Sequence, residues 1–223
     1  MMTRRLVQLL IGLALYGVSL AMLIRAGLGL DPWDVFHQGV ANRTVLSIGT
    51  VVVITSFVVL LLWIPLRQRP GFGTLCNAVL VGLFADLGLA VIPDVTHVAG
   101  QFAMMGGAVL LNGVASACYI GARFGPGPRD GLMTGLARRT GRSIRLCRTL
   151  IEVTVLAIGW VLGGSVGVGT VVYALAIGPL VHLLLPRFMV PGAAAVPGSP
   201  ASEEPTTAAR WFGRQDASGA KSR

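Results

Sequence analysis

Two carboxylates and an imidazole, Asp31, Asp34 and His37, fall within one short stretch, "GLGLDPWDVFH" at 27–37. A degenerate copy, "RFGPGPRD" at 123–130, supplies Arg129 and Asp130. Two more ionisable residues, Asp86 and His182, sit inside long apolar runs, where such groups are costly and as a rule face a cavity or a partner. Carboxylates and imidazoles hold protons or cations, and a helix start with free N–H groups holds anions. Asp31, Asp34, His37, Asp86, Arg129, Asp130 and His182 are therefore the candidate substrate- or ion-binding residues. Nothing in the spacing proposes catalysis: there is no HExxH, GxSxG or Walker motif and no triad-like arrangement. Cys76, Cys118 and Cys147 are isolated and no His/Cys cluster exists, so neither a metal nor a cofactor is expected and the chain reads as a non-enzyme.

The elements that must position these groups follow from local pattern. Asp31-Pro32-Trp33-Asp34 is a helix start, with Asp31 as N-cap, Pro32 first in the helix and Asp34 third. The short helix runs over 32–42, about 16 Å at 1.5 Å per residue. In the copy Gly127 takes the cap position and the helix runs over 128–138. The first helix end, with two acids, suits a cation or amine. The second, with a glycine cap and Arg129 beside it, suits an anion. The alternative is that Asp34 and Asp130 do no more than close their helices. Two placements also stand open: helices lying flat at the interface with Trp33 as anchor, or half-helices returning from a dip into the membrane.

The chain has 223 residues, 54% hydrophobic and 12% charged, with a mean hydropathy of +0.75. That composition and several apolar runs near 20 residues describe a polytopic membrane protein whose first partner is the lipid bilayer. The net charge of +9 comes from residues between apolar runs rather than from an aromatic-interleaved patch, so nucleic acid is not a partner. Six spans are expected, at 6–24, 45–64, 74–92, 98–120, 146–164 and 169–188. Arg4, Arg5 and "SLA" at 19–21 imitate a signal peptide, but half of the first span belongs to the repeat described next, and it reads as a retained helix. With the N-terminus inside, the inner segments carry nearly all arginines and the outer ones only Arg25 and Arg43. Both termini are then cytoplasmic. Residues 191–223, rich in Pro, Ala, Gly and Ser, read as a disordered cytoplasmic tail.

The chain also repeats itself at an offset of 96 positions. Gly17-Val18 meets Gly113-Val114, Pro32 meets Pro128, Asp34 meets Asp130, Ser47-Ile48 meets Ser143-Ile144, and Gly71, Gly73 and Thr74 meet Gly167, Gly169 and Thr170. Roughly twenty identities in about seventy positions fall on Gly, Pro, Asp and Arg more than on Leu and Val. Asp86 and His182 are equivalent positions. The expected fold is an all-α membrane protein of six transmembrane helices in two three-span repeats, 1–96 and 97–190, each with a short half-helix or interfacial helix after its first span. Because three is odd, the repeats have inverted topology, as in many secondary transporters.

"GLGLDPWDVFHQGVA", "SIGT" and "PLRQRPGFGTLCNAVLVGLFADLGL" resemble the YczE-type bacterial integral membrane proteins, a group related to the YitT-like proteins, over about residues 5–188. The resemblance implies a multi-span protein of the bacterial cell membrane, some members being linked to lipopeptide or antibiotic production; it carries over no substrate and no site residue. The reading that follows is a small inverted-repeat secondary transporter of an unidentified small molecule, proton-coupled through groups such as Asp86 and His182. The alternative is a non-transporting membrane protein that assists a biosynthetic or envelope complex. Self-association into a homo-oligomer is compatible with both.

Overall fold

The computed structural model describes residues 2–190. The tail expected over 191–223 lies outside the described residues. Among the described residues eight helices follow one another: α1 (Met2–Ala26), α2 (Pro32–Arg43), α3 (Ile48–Trp63), α4 (Phe72–Val91), α5 (Val98–Gly121), α6 (Pro128–Thr140), α7 (Ile144–Val161) and α8 (Val168–Phe188). The starts of α1 to α4 reappear 96 positions later as the starts of α5 to α8. The reason is local chemistry that recurs at the same offset. The Ser47 and Ser143 hydroxyls accept from the backbone N–H groups of Thr50 and Leu146 and open α3 and α7. The Thr74 and Thr170 hydroxyls accept from the N–H groups of Gly71 and Gly167 and open α4 and α8.

The short helices form as expected. The Asp31 carboxylate accepts from the Asp34 N–H at 2.6 Å, and Pro32 follows in the first turn. Pro128 follows the Gly127 cap of α6. The chain bends by 117° between α2 and α3.

Four helices, α1, α4, α5 and α8, are each long and apolar enough to cross a membrane, and a fifth crossing results if bent α2–α3 counts as one. Six such helices were expected. The two shortfalls have physical causes. At 16 residues α3 is about 24 Å long, and α7 carries Arg145, Arg148 and Glu152 near its start. One of the crossing helices, α4, puts small residues inward and large ones outward. On α4, Ala78, Gly82, Ala85 and Gly88 are buried, while Leu75, Val79, Leu83 and Leu87, one every fourth residue, are exposed. A water-soluble protein would reverse that pattern; in lipid, small residues allow close backbone approach and large apolar ones meet the acyl chains. This is a polytopic helical membrane protein.

The core is the pair α1 and α5, flanked by α4 on α1 and α8 on α5. Gly12 lies against the backbone of Ala115 and Tyr119, and Gly17 against Val81 and Ala85. The short helices cross over to the other half of the chain. Along α2, Phe36 rests on Gly159 of α7, and along α6, Gly131 rests on the Trp63 ring of α3. The loops cross as well: the Gly73 N–H donates to the Phe124 carbonyl at 3.0 Å, and the Gly169 N–H to the Leu28 carbonyl at 2.7 Å. Gly29 and Gly125, at φ +108° and +123°, sit against Gly167 and Gly71 respectively. A side chain at either would be strained by conformation and blocked by backbone.

The offset fails where α3 meets α4. Gly49 of α3 touches Gly82 of α4, and the Asp86 carboxylate accepts from the Ser47 hydroxyl at 2.6 Å and the Gly49 N–H at 2.8 Å. Their counterparts are Arg145, Gly178 and His182. An added Cβ on Gly178 would meet nothing within 4 Å, and α7 makes at most marginal contact with α8.

Candidate functional site

The N-terminal ends of α2 and α6 meet at the centre of the molecule. Asp31, Asp34 and His37 are 4%, 3% and 2% exposed. Arg129, second in α6, reaches across to them. Its guanidinium donates to Asp31 Oδ2 at 3.1 Å and lies 3.5 Å from Asp34 Oδ1. His37 Nδ1 is 3.0 Å from the same Asp34 oxygen. The guanidinium also lies 5.6 Å from the Trp33 ring centroid and 6.0 Å from that of Tyr16, within cation–π range. Two carboxylates thus share one guanidinium. A dry interior tolerates charge only when it is paired, so the excess negative charge calls for a proton or a further cation.

Beside this cluster is a cavity of about 350 Å³. Its walls include Asp31, Trp33, Arg129 and Asp130 from the short-helix ends, Val52 and Ser56 from α3, Asn77 and Val81 from α4, Arg148 and Glu152 from α7, and Ile177 and His182 from α8. The chain's three tyrosines, Tyr16, Tyr119 and Tyr173, all line it. Tyr119 donates to Asp130 Oδ2 at 2.9 Å. Tyr173 donates to Asn112 Oδ1 at 2.9 Å, and Asn112 in turn donates to the Ser19 hydroxyl at 2.8 Å. That chain ties α8 to α5 and α1 behind the cavity. Arg148 and Glu152 pair at 2.8 Å across one turn of α7, as their spacing predicts. The buried Trp33 indole N–H has no acceptor among the described residues.

Of the seven candidate residues, the structure gathers Asp31, Asp34, His37, Arg129 and Asp130 in one place and puts His182 on the cavity wall. Asp86 is elsewhere, holding the start of α3, so Asp86 and His182 do not meet. Arg25 pairs with Asp94 at 2.5 Å and leaves the acids alone. Trp33, considered as an interfacial anchor, is 5% exposed and packs with Val59 and Trp63. Sequence reasoning missed the tyrosines. For Tyr16 the available signal was its position in the middle of an apolar run, away from the membrane interfaces where tyrosines belong; Tyr119 and Tyr173 fall near the ends of theirs and gave no such signal. Among the described residues no group of three or more His, Cys, Asp or Glu side chains could hold a metal ion.

Comparison with known proteins places the chain. A family model described as a family of unknown function, DUF6198, matches residues 3–186. A protein of Haemophilus influenzae is 37% identical over 79% of this chain and 81% of its own length. The uncharacterised membrane protein YczE of Bacillus subtilis is 32% identical over 77% and 80%, and YyaS of the same organism 26% identical over 79% and 90%. No solved structure matches. The chain belongs to the DUF6198 family and, through its likeness to YczE, to the YczE-type membrane proteins.

Proposed function

We propose that this protein is a small secondary transporter of the bacterial cytoplasmic membrane, built from two inverted three-span repeats, with both termini inside. It moves a small molecule against protons held at Asp31 and Asp34 and performs no chemistry on its cargo. One observation carries the reading: seven residue pairs related by the 96-position offset face the same cavity, namely Asp31/Gly127, Pro32/Pro128, Trp33/Arg129, Val52/Arg148, Ser56/Glu152, Asn77/Tyr173 and Val81/Ile177. A cavity bounded by both members of so many pairs lies on the relation between the halves, where inverted-repeat transporters hold their cargo. The unequal walls support it further. Contact between α3 and α4 is close, and between α7 and α8 it is slight; a carrier caught with one gate closed and the other parted has that asymmetry. The excess carboxylate at the centre supports proton coupling.

The alternative reading, a membrane protein that assists a complex, would dock its partner through segment 121–145. The part of that segment up to Ala137 is committed to the fold, with Pro128, Gly131, Met133, Gly135 and Ala137 buried, which leaves the exposed residues 138–143 for a partner. The deciding experiment reconstitutes the full chain in liposomes with a pH-sensitive dye inside and presents a panel of organic cations, anions and neutral solutes. At least one solute should drive proton movement that Asp31→Asn reduces more than tenfold while the variant stays folded. The reading fails if no solute does so and the 121–145 segment captures a partner instead.

A further inference from the structure

The cavity has an unequal charge balance and an unequal surface. Four carboxylates, Asp31, Asp34, Asp130 and Glu152, stand at or directly behind its walls against two guanidiniums, Arg129 and Arg148. Among the described residues no ion pair involves Asp130; Tyr119 is its hydrogen-bond partner. The N-terminal ends of α2 and α6 each contribute about half a positive charge, which leaves roughly one negative charge in excess whenever no proton is held at Asp31 or Asp34. Arg129 shows what fills such a place: its guanidinium rests between Asp31 and the Trp33 and Tyr16 rings. The other side of the cavity is different in kind. Along α8 it is walled by Ile177, Gly178, Val181 and Leu185, while α7 contributes Arg148 and Glu152.

Resting on the transporter reading, we propose that the cargo is a small amphipathic organic cation, its charged head against Asp130 and Asp31 among the aromatic rings and its apolar body along α8. The chemistry fits on three counts. Asp130, which makes no ion pair among the described residues, supplies the counter-charge. Tyr119 and Tyr173 line the cavity beside the Tyr16 and Trp33 rings that Arg129 already occupies, and aromatic rings attract organic cations. The apolar α8 wall suits a hydrocarbon body. An anion would meet the excess of carboxylates and is disfavoured, despite the two helix ends. The unpartnered Trp33 N–H leaves room for an acceptor oxygen on the same cargo.

The test uses purified full-length protein and benzyltrimethylammonium, which has a fixed charge and an apolar ring. Its neutral isostere neopentylbenzene and the anion benzenesulfonate serve as comparisons. Calorimetry should detect binding of the cation alone. Asp130→Asn should weaken binding by about 10- to 100-fold, the worth of one charge-assisted contact. Glu152→Gln, at a part-exposed position at the cavity mouth, should weaken it less and guards against a folding failure at Asp130. Asp94→Asn, on the surface, should leave it unchanged. Binding of benzenesulfonate without the cation, or binding of neither, overturns the proposal. Binding of the cation without any flux in liposomes would sustain this assignment and sink the transporter reading. Proton-coupled flux of anions with no cation binding would do the reverse.

Discussion

At the residue scale the account rests on Arg129 between Asp31 and Asp34. Removing one partner of a buried ionic group leaves the others unpaired, at a cost of about 3–5 kcal/mol. Arg129→Met should therefore lower the melting temperature sharply. Adding Asp31→Asn and Asp34→Asn to it should recover much of the loss, because no buried charge is then stranded. Thermal unfolding of the single, double and triple variants in detergent checks this, and additive losses would show that the three residues do not form one unit. The helix start at Asp31-Pro32 was legible in the sequence because capping is a matter of four consecutive residues. The pairing of Arg129 with those acids was not: it joins positions 98 and 95 residues apart. Local reading took Arg129 as a sign of an anion site, when in the fold it neutralises the first copy's carboxylates.

At the element scale the two copies differ where glycine is lost. Gly49→Val should force α3 away from α4 and destabilise by about 1–3 kcal/mol, as overpacked sites do. Gly178→Ala, which meets open space, should be neutral or slightly stabilising, since alanine suits a helix interior better than glycine. Melting temperatures of the two variants measure the contrast, and equal losses would mean that α7 and α8 are as tightly joined as α3 and α4. Asp86→Asn should cost about 1–2 kcal/mol through the weakened start of α3 yet leave flux intact in folded protein. A loss of flux at unchanged stability would return Asp86 to the site. Helix boundaries were legible because serine, threonine, proline and glycine mark them at fixed offsets. The role of Asp86 was not, because an acid in an apolar run looks the same whether it binds cargo or holds a neighbouring helix start. The shortness of α3 and the charged first turns of α7, which remove two of six expected crossings from the clear cases, were visible in the residues but masked by the apolar runs around them.

At the scale of the whole molecule, the 96-position repeat was legible from its Gly, Pro and Asp identities. The crossing of α2 onto α7 and of α6 onto α3 was not, since a repeat in the chain says nothing of which half each copy rests against. The charge asymmetry of the loops predicts that Thr96, exposed between α4 and α5, faces outward. Thr96→Cys, with Cys76, Cys118 and Cys147 changed to alanine, should react with an impermeant thiol reagent on intact cells; reaction only after lysis would invert the topology. In the transport cycle proposed above, two unequal walls, α3 against α4 and α7 against α8, exchange roles around one cavity. Ser56 lies on the cavity wall, and Ser56→Cys in the same cysteine-free background reports on it most directly. In vesicles its labelling should switch from one face of the membrane to the other when the proton gradient is reversed. Labelling from a single face under every gradient would contradict the account.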